Sequence, residues 1–91
     1  MARPRKKRQT HFNPKALHFK PQGIPLKELK IEFLNKEELE SVRLKYVEEM
    51  DQTLAAEKMG TSQSTFQRIL KSALKKIAVA ITEGKAIEIE E

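Results

Sequence analysis

The sequence contains no cysteine, no tryptophan, one tyrosine and only three glycines among its 91 residues. Without cysteine there is no disulfide framework, no thiolate metal site and no thiol nucleophile. No apolar run approaches the roughly 20 residues that span a bilayer, and no apolar stretch follows the charged N-terminus as it does in a secretory signal. We therefore expect a cytoplasmic protein with no membrane segment and with one modest core.

Positive charge is distributed unevenly along the chain. The first nine residues hold five basic side chains, and the other 13 basic residues balance the 13 acidic ones. A second basic cluster lies within 62–85, where the only acidic residue is Glu83. Its members are Arg68, Lys71, Lys75, Lys76 and Lys85. Two basic clusters favour a polyanionic partner, although the second cluster alone fits a solvated helix face equally well.

The N-terminal third is predicted to contain little regular structure. Residues 1–9 are too polar to fold and are expected to form a flexible basic arm, followed by a single domain over residues 10–91. Three prolines and the Pro21-Gln22-Gly23 turn signal predict an irregular segment from Thr10 to Pro25. Alternating apolar residues predict short strands near 29–34 and 86–90. These strands are expected to pair, either within one chain or across a dimer.

The first helix is predicted to begin after Asn35, whose side chain forms a capping box with Glu38. It should end near Met50. One apolar stripe at helical spacing is expected to face the core. Its members are Leu39, Val42, Tyr46, Val47 and Met50.

Two further helices complete a mainly α domain. A short one spans Gln52 to about Met59, capped by Asp51 and stopped by Gly60, and a long one spans 62–83, capped by Ser62. The apolar face of the long helix comprises Phe66, Ile69, Leu70, Ala73, Leu74, Ile77, Ala78 and Ile81. Its C-terminal half is expected to pack within the chain, and a second subunit is the alternative.

The segment from Gln52 to Lys71 has the pattern of a helix-turn-helix motif. Such a motif needs a small residue where its helices cross and, four positions on, a residue that adopts positive φ. Ala56 and Gly60 meet these needs. The inward positions are apolar at Ala55, Met59, Phe66 and Ile69, whereas Thr61 replaces the apolar residue usual after the turn.

If the motif binds DNA, the start of the long helix faces base edges in the major groove. The predicted base-reading residues are Gln63, Ser64, Gln67 and Arg68. The predicted phosphate contacts are Arg3, Arg5, Lys6, Lys7, Arg8, Ser62, Lys71 and Lys75. The alternative is an ordinary helical hairpin with a polar outer face.

Nearly the whole chain resembles UPF0251, also called DUF134, a prokaryotic family predicted to bind DNA. The matching segments are Met1-Ala-Arg-Pro-Arg5, Phe12-x-Pro14, Phe19-x-Pro21, Gly23-Ile-Pro-Leu26, Leu39-Glu-x-Val-Arg-Leu44, Ala55-Ala-Glu-x-Met-Gly60, Ser62-x-x-Thr-Phe-x-Arg-Ile-Leu70, Lys76-Ile-Ala-x-Ala80, Glu83-Gly-Lys-Ala86 and Ile89-Glu90. The segment Gln52–Ile77 also resembles the sigma-factor region 4 type of helix-turn-helix. Together these resemblances imply a transcriptional regulator that binds double-stranded DNA. The chain departs from the family at His11, where other members often carry Cys.

Other functional classes have less support in the residues. His11 and His18 are the only histidines, too few for a zinc site without carboxylates, so no metal and no cofactor are expected. No serine has a neighbouring histidine or a Gly-rich elbow, and we expect no enzyme. Two alternatives to DNA binding remain. The acidic stretch Glu37–Glu57 could contact RNA polymerase in a sigma-like interaction, and the basic arm could bind RNA. The sequence also leaves open whether the protein forms a homodimer.

Overall fold

A computed structural model describes residues 13–90 as three helices and a small sheet. The elements are β1 (His18–Phe19), β2 (Ile31–Leu34), α1 (Lys36–Val42), α2 (Gln52–Met59), α3 (Gln63–Glu83) and β3 (Ala86–Ile89). A single 3₁₀ turn, Leu26–Glu28, precedes β2. The predicted mainly α class with two short strands is therefore confirmed. The predicted arm over residues 1–9 lies outside the described residues.

The strands form one sheet in the order β1-β3-β2. Strands β2 and β3 run parallel, with Ile31 opposite Ala86 and Leu34 opposite Ile89. A parallel pair needs a long crossover, and here all three helices supply it, so the predicted strands pair within one chain. Strand β1 pairs antiparallel with β3. The sequence did not predict β1, because two residues within a Pro-rich segment carry no alternating pattern.

The first helix begins as predicted but does not bury all of the predicted apolar stripe. The capping box forms, because Asn35 accepts from the N–H of Glu38 at 2.7 Å while the N–H of Asn35 donates to Glu38 at 3.0 Å. After α1, however, residues 43–47 form a π-helical turn in which the N–H of Glu48 donates to the carbonyl of Arg43.

The wider π turn changes which side chains reach the core. Leu44, five residues after Leu39, becomes buried, whereas Tyr46 and Val47 are 55% and 70% exposed. The prediction that Tyr46 and Val47 face the core is therefore wrong, because it assumed regular α spacing through this segment.

Bidentate pairing by Arg43 stabilises this turn. Its guanidinium donates twice to the buried carboxylate of Glu40, at 3.0 Å each, and once to Glu48, also at 3.0 Å. The hydrogen bonds that Arg43 donates to Glu40 are the largest cause of its raised pKa. The pairing holds together residues before and after the π turn, and Glu49, which follows, has a φ of +58°.

Helix α3 crosses the whole molecule and contacts two apolar clusters. Its first half packs through Phe66 and Leu70 against α2 and Leu44. Its second half packs through Ala73 against Leu34 and Ile89 of the sheet. The long helix therefore connects the sheet to α2 as one rigid element.

Not every predicted core position of α3 is buried. Ile77 packs partly buried against the sheet cluster. Leu74 and Ile81 are 37% and 72% exposed, and Ala78 between them is exposed too. The expectation that this stripe packs within the chain is therefore wrong at these three positions, because the sheet covers only the side of α3 that carries Ala73 and Ala80.

Candidate nucleic-acid interface

Helices α2 and α3 are joined by a short turn whose backbone hydrogen bonds are satisfied locally. Asp51 caps α2 by accepting from the N–H of Leu54 at 2.8 Å. Gly60 ends the helix in the left-handed region with φ +69°, as predicted. The N–H of Thr61 donates to the carbonyl of Ala56 and that of Gly60 to the carbonyl of Glu57. This is a Schellman motif, which fixes the direction in which the chain leaves α2.

The side chains at the contact between α2 and α3 are small or apolar, as the motif requires. Ala55, Ala56, Met59 and Phe66 are at most 2% exposed, and Ile69 packs partly buried against the same cluster. Because alanine has only a methyl group, the two helices approach closely around Phe66. The burial predicted for the four inward positions is therefore confirmed, with Ile69 only partly buried.

The residues predicted to read bases lie at the start of α3. Ser62 caps this helix by accepting from the N–H of Thr65 at 3.1 Å. Gln63, Ser64 and Gln67 follow with exposed side chains. Gln63 and Gln67 are four residues apart, so their amide groups lie on one face. A glutamine amide can pair with adenine through two hydrogen bonds.

The basic residues of α3 continue from this polar start. Lys71 and Lys75 are exposed and follow Gln67 at intervals of four residues, which keeps successive positions on neighbouring parts of the helix surface. Two glutamines and two lysines therefore follow one another along the exposed side of α3, spread over more than three turns. The five basic arm residues predicted to contact phosphates lie outside the described residues.

Arg68 occupies a different position from Gln63 and Gln67. It lines an open groove of about 470 Å³ between α3 and the start of α1, together with Glu37, Glu38 and Ser72. Its guanidinium lies 3.4 Å from the hydroxyl of Thr65. Because it sits beside carboxylates at the side of the helix, Arg68 is displaced from the face that carries the glutamines.

Two features at the start of α3 were not predicted. The side-chain amide of Gln52, the first residue of α2, donates to the carbonyl of Gln63 at 3.4 Å. The hydroxyl of Ser62 donates to that of Thr65 at 2.9 Å and lies 3.3 Å from that of Ser64. Polar residues at these positions are the only sequence signal, and it does not reveal which of them pair.

A buried carboxylate fixes α3 against α1. Glu38 is 4% exposed and accepts hydrogen bonds from Ser72 at 2.5 Å and from Lys76 at 3.0 Å. Burial opposes its ionisation, but the hydrogen bonds from Ser72, the Asn35 backbone and Lys76 hold the pKa of Glu38 below its usual value. The network orients the middle of α3 while the start of the helix stays exposed.

Within residues 13–90, no helix is long and apolar enough to cross a membrane. What the described chain presents is a small mainly α domain that exposes the polar start of a long helix.

Comparison with known proteins places this domain in a family. Residues 1–91 match the family described as "Protein of unknown function DUF134". The chain is 51% identical over 89 residues to the UPF0251 protein of Clostridium botulinum strain Hall, and spans 57% of that protein's length and 98% of its own. It is 47% identical over 90 residues to the UPF0251 protein of Halothermothrix orenii, spanning 67% of that protein and 99% of itself. The chain belongs to the DUF134 family.

These relatives are longer than the chain, which spans 57% of the first ones. Their names assign no activity. No solved structure matches the chain.

Proposed function

We propose that this protein is a sequence-specific DNA-binding protein, acting as a transcriptional regulator, that reads the major groove with the first half of α3. One observation carries the proposal. The two-helix unit of α2 and α3 exposes Gln63, Ser64 and Gln67 at the start of its second helix, where helix-turn-helix proteins contact base edges. The proposed domain comprises residues 10–91, with the motif over 52–71.

The rigidity of the unit supports a reading role. The left-handed Gly60 and the Ser62 cap define the path of the short turn between α2 and α3. The buried side chains of Met59 and Phe66 fill the space between the helices. Base readout depends on a fixed geometry, because a hydrogen bond weakens steeply when its donor and acceptor are misaligned.

The charge distribution supports a polyanionic partner. Lys71 and Lys75 follow the reading residues on the exposed part of α3, and in the proposed complex they contact phosphates beside the groove. The five basic residues of the arm contribute further phosphate contacts. Gln63 and Gln67 make the principal base contacts in the proposed complex, whereas Arg68, in its groove beside Glu37, makes a peripheral one.

In the proposed complex the residues of α3 bind DNA without a cofactor, and the protein is not proposed to catalyse a reaction. The proposed location is the cytoplasm, where prokaryotic DNA lies.

The experiment is a fluorescence anisotropy titration of labelled duplex DNA and of duplex RNA with the same sequence. We expect tighter binding to DNA, and weaker binding when Lys71 and Lys75 are both replaced by Gln. Lys27→Gln, on the exposed 3₁₀ turn away from α3, removes a positive charge without touching the proposed interface. A loss of affinity in this control that reaches half the loss of the Lys71 and Lys75 double variant, expressed as log affinity, or tighter binding to RNA, would contradict the proposal.

A further inference from the structure

Two apolar surfaces of the described chain remain exposed, and they carry opposite charge. The first, termed the α3 surface, consists of Leu74, Ala78 and Ile81 with the adjoining Lys75. The three apolar residues follow at intervals of four and three, so they form one stripe along the helix. Ile81, at its end, is 72% exposed. Exposed apolar stripes with a polar rim are typical of interaction sites.

A groove of about 230 Å³ extends the α3 surface towards the sheet. Its apolar lining includes Phe19, Ile81 and Ile87, and its basic lining includes Lys20 and Lys85. Lys85 is paired with Glu32 at 3.2 Å and with Glu83 at 3.5 Å, so carboxylates compensate its charge. The groove can accommodate one apolar side chain from a partner, and Lys20 places positive charge in its lining.

The second surface, termed the acidic corner, is the turn between α1 and α2. It exposes Tyr46, Val47 and Leu54. Residues 46–57 contain four acidic side chains and no basic one. The acidic residues are Glu48, Glu49, Asp51 and Glu57.

The acidic corner has a fixed shape. The π turn is held by Arg43, which bonds Glu40 and Glu48. The side chain of Asp51 accepts from the N–H of Leu54, so the exposed Leu54 sits beside this carboxylate. A rigid apolar projection such as Tyr46 and Val47 binds without a large loss of conformational entropy.

We propose that the α3 surface of one copy of this chain docks on the acidic corner of a second copy. Charge complementarity selects this occupant, because the apolar stripe adjoins lysine and the apolar corner is rimmed by carboxylates. Two stripes of the same kind would instead bring Lys75 towards the partner's Lys75. An apolar side chain from the corner, Tyr46 or Val47, enters the groove beside Ile81.

Such contacts join two different patches and are therefore heterologous. Each copy in a pair keeps one free α3 surface and one free acidic corner, so association continues beyond the dimer unless the geometry closes a ring. The first half of α3 lies outside both surfaces and stays exposed, so copies bound side by side would still present Gln63 and Gln67. Lys75 belongs both to the α3 surface and to the proposed phosphate contacts, so a docked copy would withdraw this lysine from DNA.

The experiment is sedimentation velocity of the wild-type chain and two variants, without nucleic acid, from micromolar to millimolar concentration. Ile81→Asp disables the α3 surface, and Val47→Lys disables the acidic corner. Both positions are among the most exposed apolar side chains, and circular dichroism verifies the fold. Lys27→Gln is the control for a single unit of charge.

We expect the wild type and Lys27→Gln to self-associate alike, more weakly at high salt, because exposed charges are screened. Each variant alone should associate at least about tenfold more weakly, as expected for the loss of a central interface contact. A mixture of the two variants should form dimers that grow no further, because each supplies the surface that the other lacks.

Two results would overturn the proposal. Dimers of Val47→Lys alone that match those of the wild type would show that α3 pairs with itself. A wild-type chain that stays monomeric throughout the concentration range would leave the acidic corner to a different protein, such as RNA polymerase. Neither result bears on DNA binding, which is measured separately.

Discussion

The Nζ atom of Lys76 lies 3.0 Å from a carboxylate oxygen of Glu38 and 2.7 Å from the carbonyl oxygen of Phe33. One lysine of α3 therefore bonds both α1 and the outer edge of β2. The contact matters for function because it fixes the helix proposed to read DNA against the rest of the domain. It also satisfies a carbonyl on an edge strand, and such edges otherwise invite pairing with another chain.

Replacing Glu38 with Gln should destabilise the domain by about 2 kcal/mol. The substitution removes the charge that Ser72 and Lys76 contact and leaves their donors with a weaker acceptor. The free energy of unfolding from urea denaturation measures the effect. Glu57→Gln, an exposed position on α2, should change the stability by less than about 0.5 kcal/mol. Equal effects of the two substitutions would refute the role of the network.

The contribution of Glu38 to stability should depend on pH in a defined direction. Its pKa in the folded chain lies below the ordinary value of 4.5, so the folded state binds this proton less readily than the unfolded state does. The stabilisation is therefore complete above the unfolded pKa and is lost as the pH falls through 4.5 towards the folded pKa. The difference in unfolding free energy between wild type and Glu38→Gln should thus shrink in acid. A difference that stays constant, or that grows, contradicts the assignment.

Gly60→Val should destabilise the domain by about 2 kcal/mol, because a β-branched side chain is strained at positive φ. No neighbouring atom lies within 4 Å of a Cβ added to Gly60, so the loss comes from the backbone and not from a clash. Gly60→Asn tests this distinction, because asparagine tolerates the left-handed region. Thermal melts should rank wild type above Asn and Asn above Val. Equal losses for Asn and Val would point to a cause other than backbone conformation.

Deleting residues 1–9 should lower the slope of log affinity against log salt by roughly 2 to 4.5, because each phosphate neutralised contributes about 0.9. The range depends on how many of the five basic residues in this segment contact DNA. The preferred sequence should change little, since α3 is intact. Titrations of both forms at several salt concentrations measure the slopes, and equal slopes would mean that the segment does not contact phosphates.

Local signals in the sequence predicted most of the helix ends. The caps at Asn35, Asp51 and Ser62 and the stop at Gly60 depend on residues within a few positions of each other. Their chemistry is therefore visible in a short window of sequence.

Longer-range features were not visible in this way. Because of the π turn at 43–47, Leu44 lies in the core while Tyr46 and Val47 are exposed. Arg43 donates hydrogen bonds to both Glu40 and Glu48 across this turn, and the sequence pattern does not reveal that pairing. The bonds from Ser72 and Lys76 to Glu38 join positions 34 and 38 residues apart. The same contrast holds for the candidate site. The exposure of Gln63 and Gln67 could be predicted from helical spacing, whereas the groove that holds Arg68 depends on how α1 packs against α3.

The most direct test of the central claim is binding-site selection from a random duplex library, performed with wild type, Gln63→Ala and Lys75→Ala. Base contacts determine specificity, whereas phosphate contacts position the protein. We expect the wild type to enrich one motif, Gln63→Ala to relax the preference at one base pair of it, and Lys75→Ala to weaken all sequences about equally. No enriched motif with the wild type, or the same motif with the same preference in Gln63→Ala, would contradict the account.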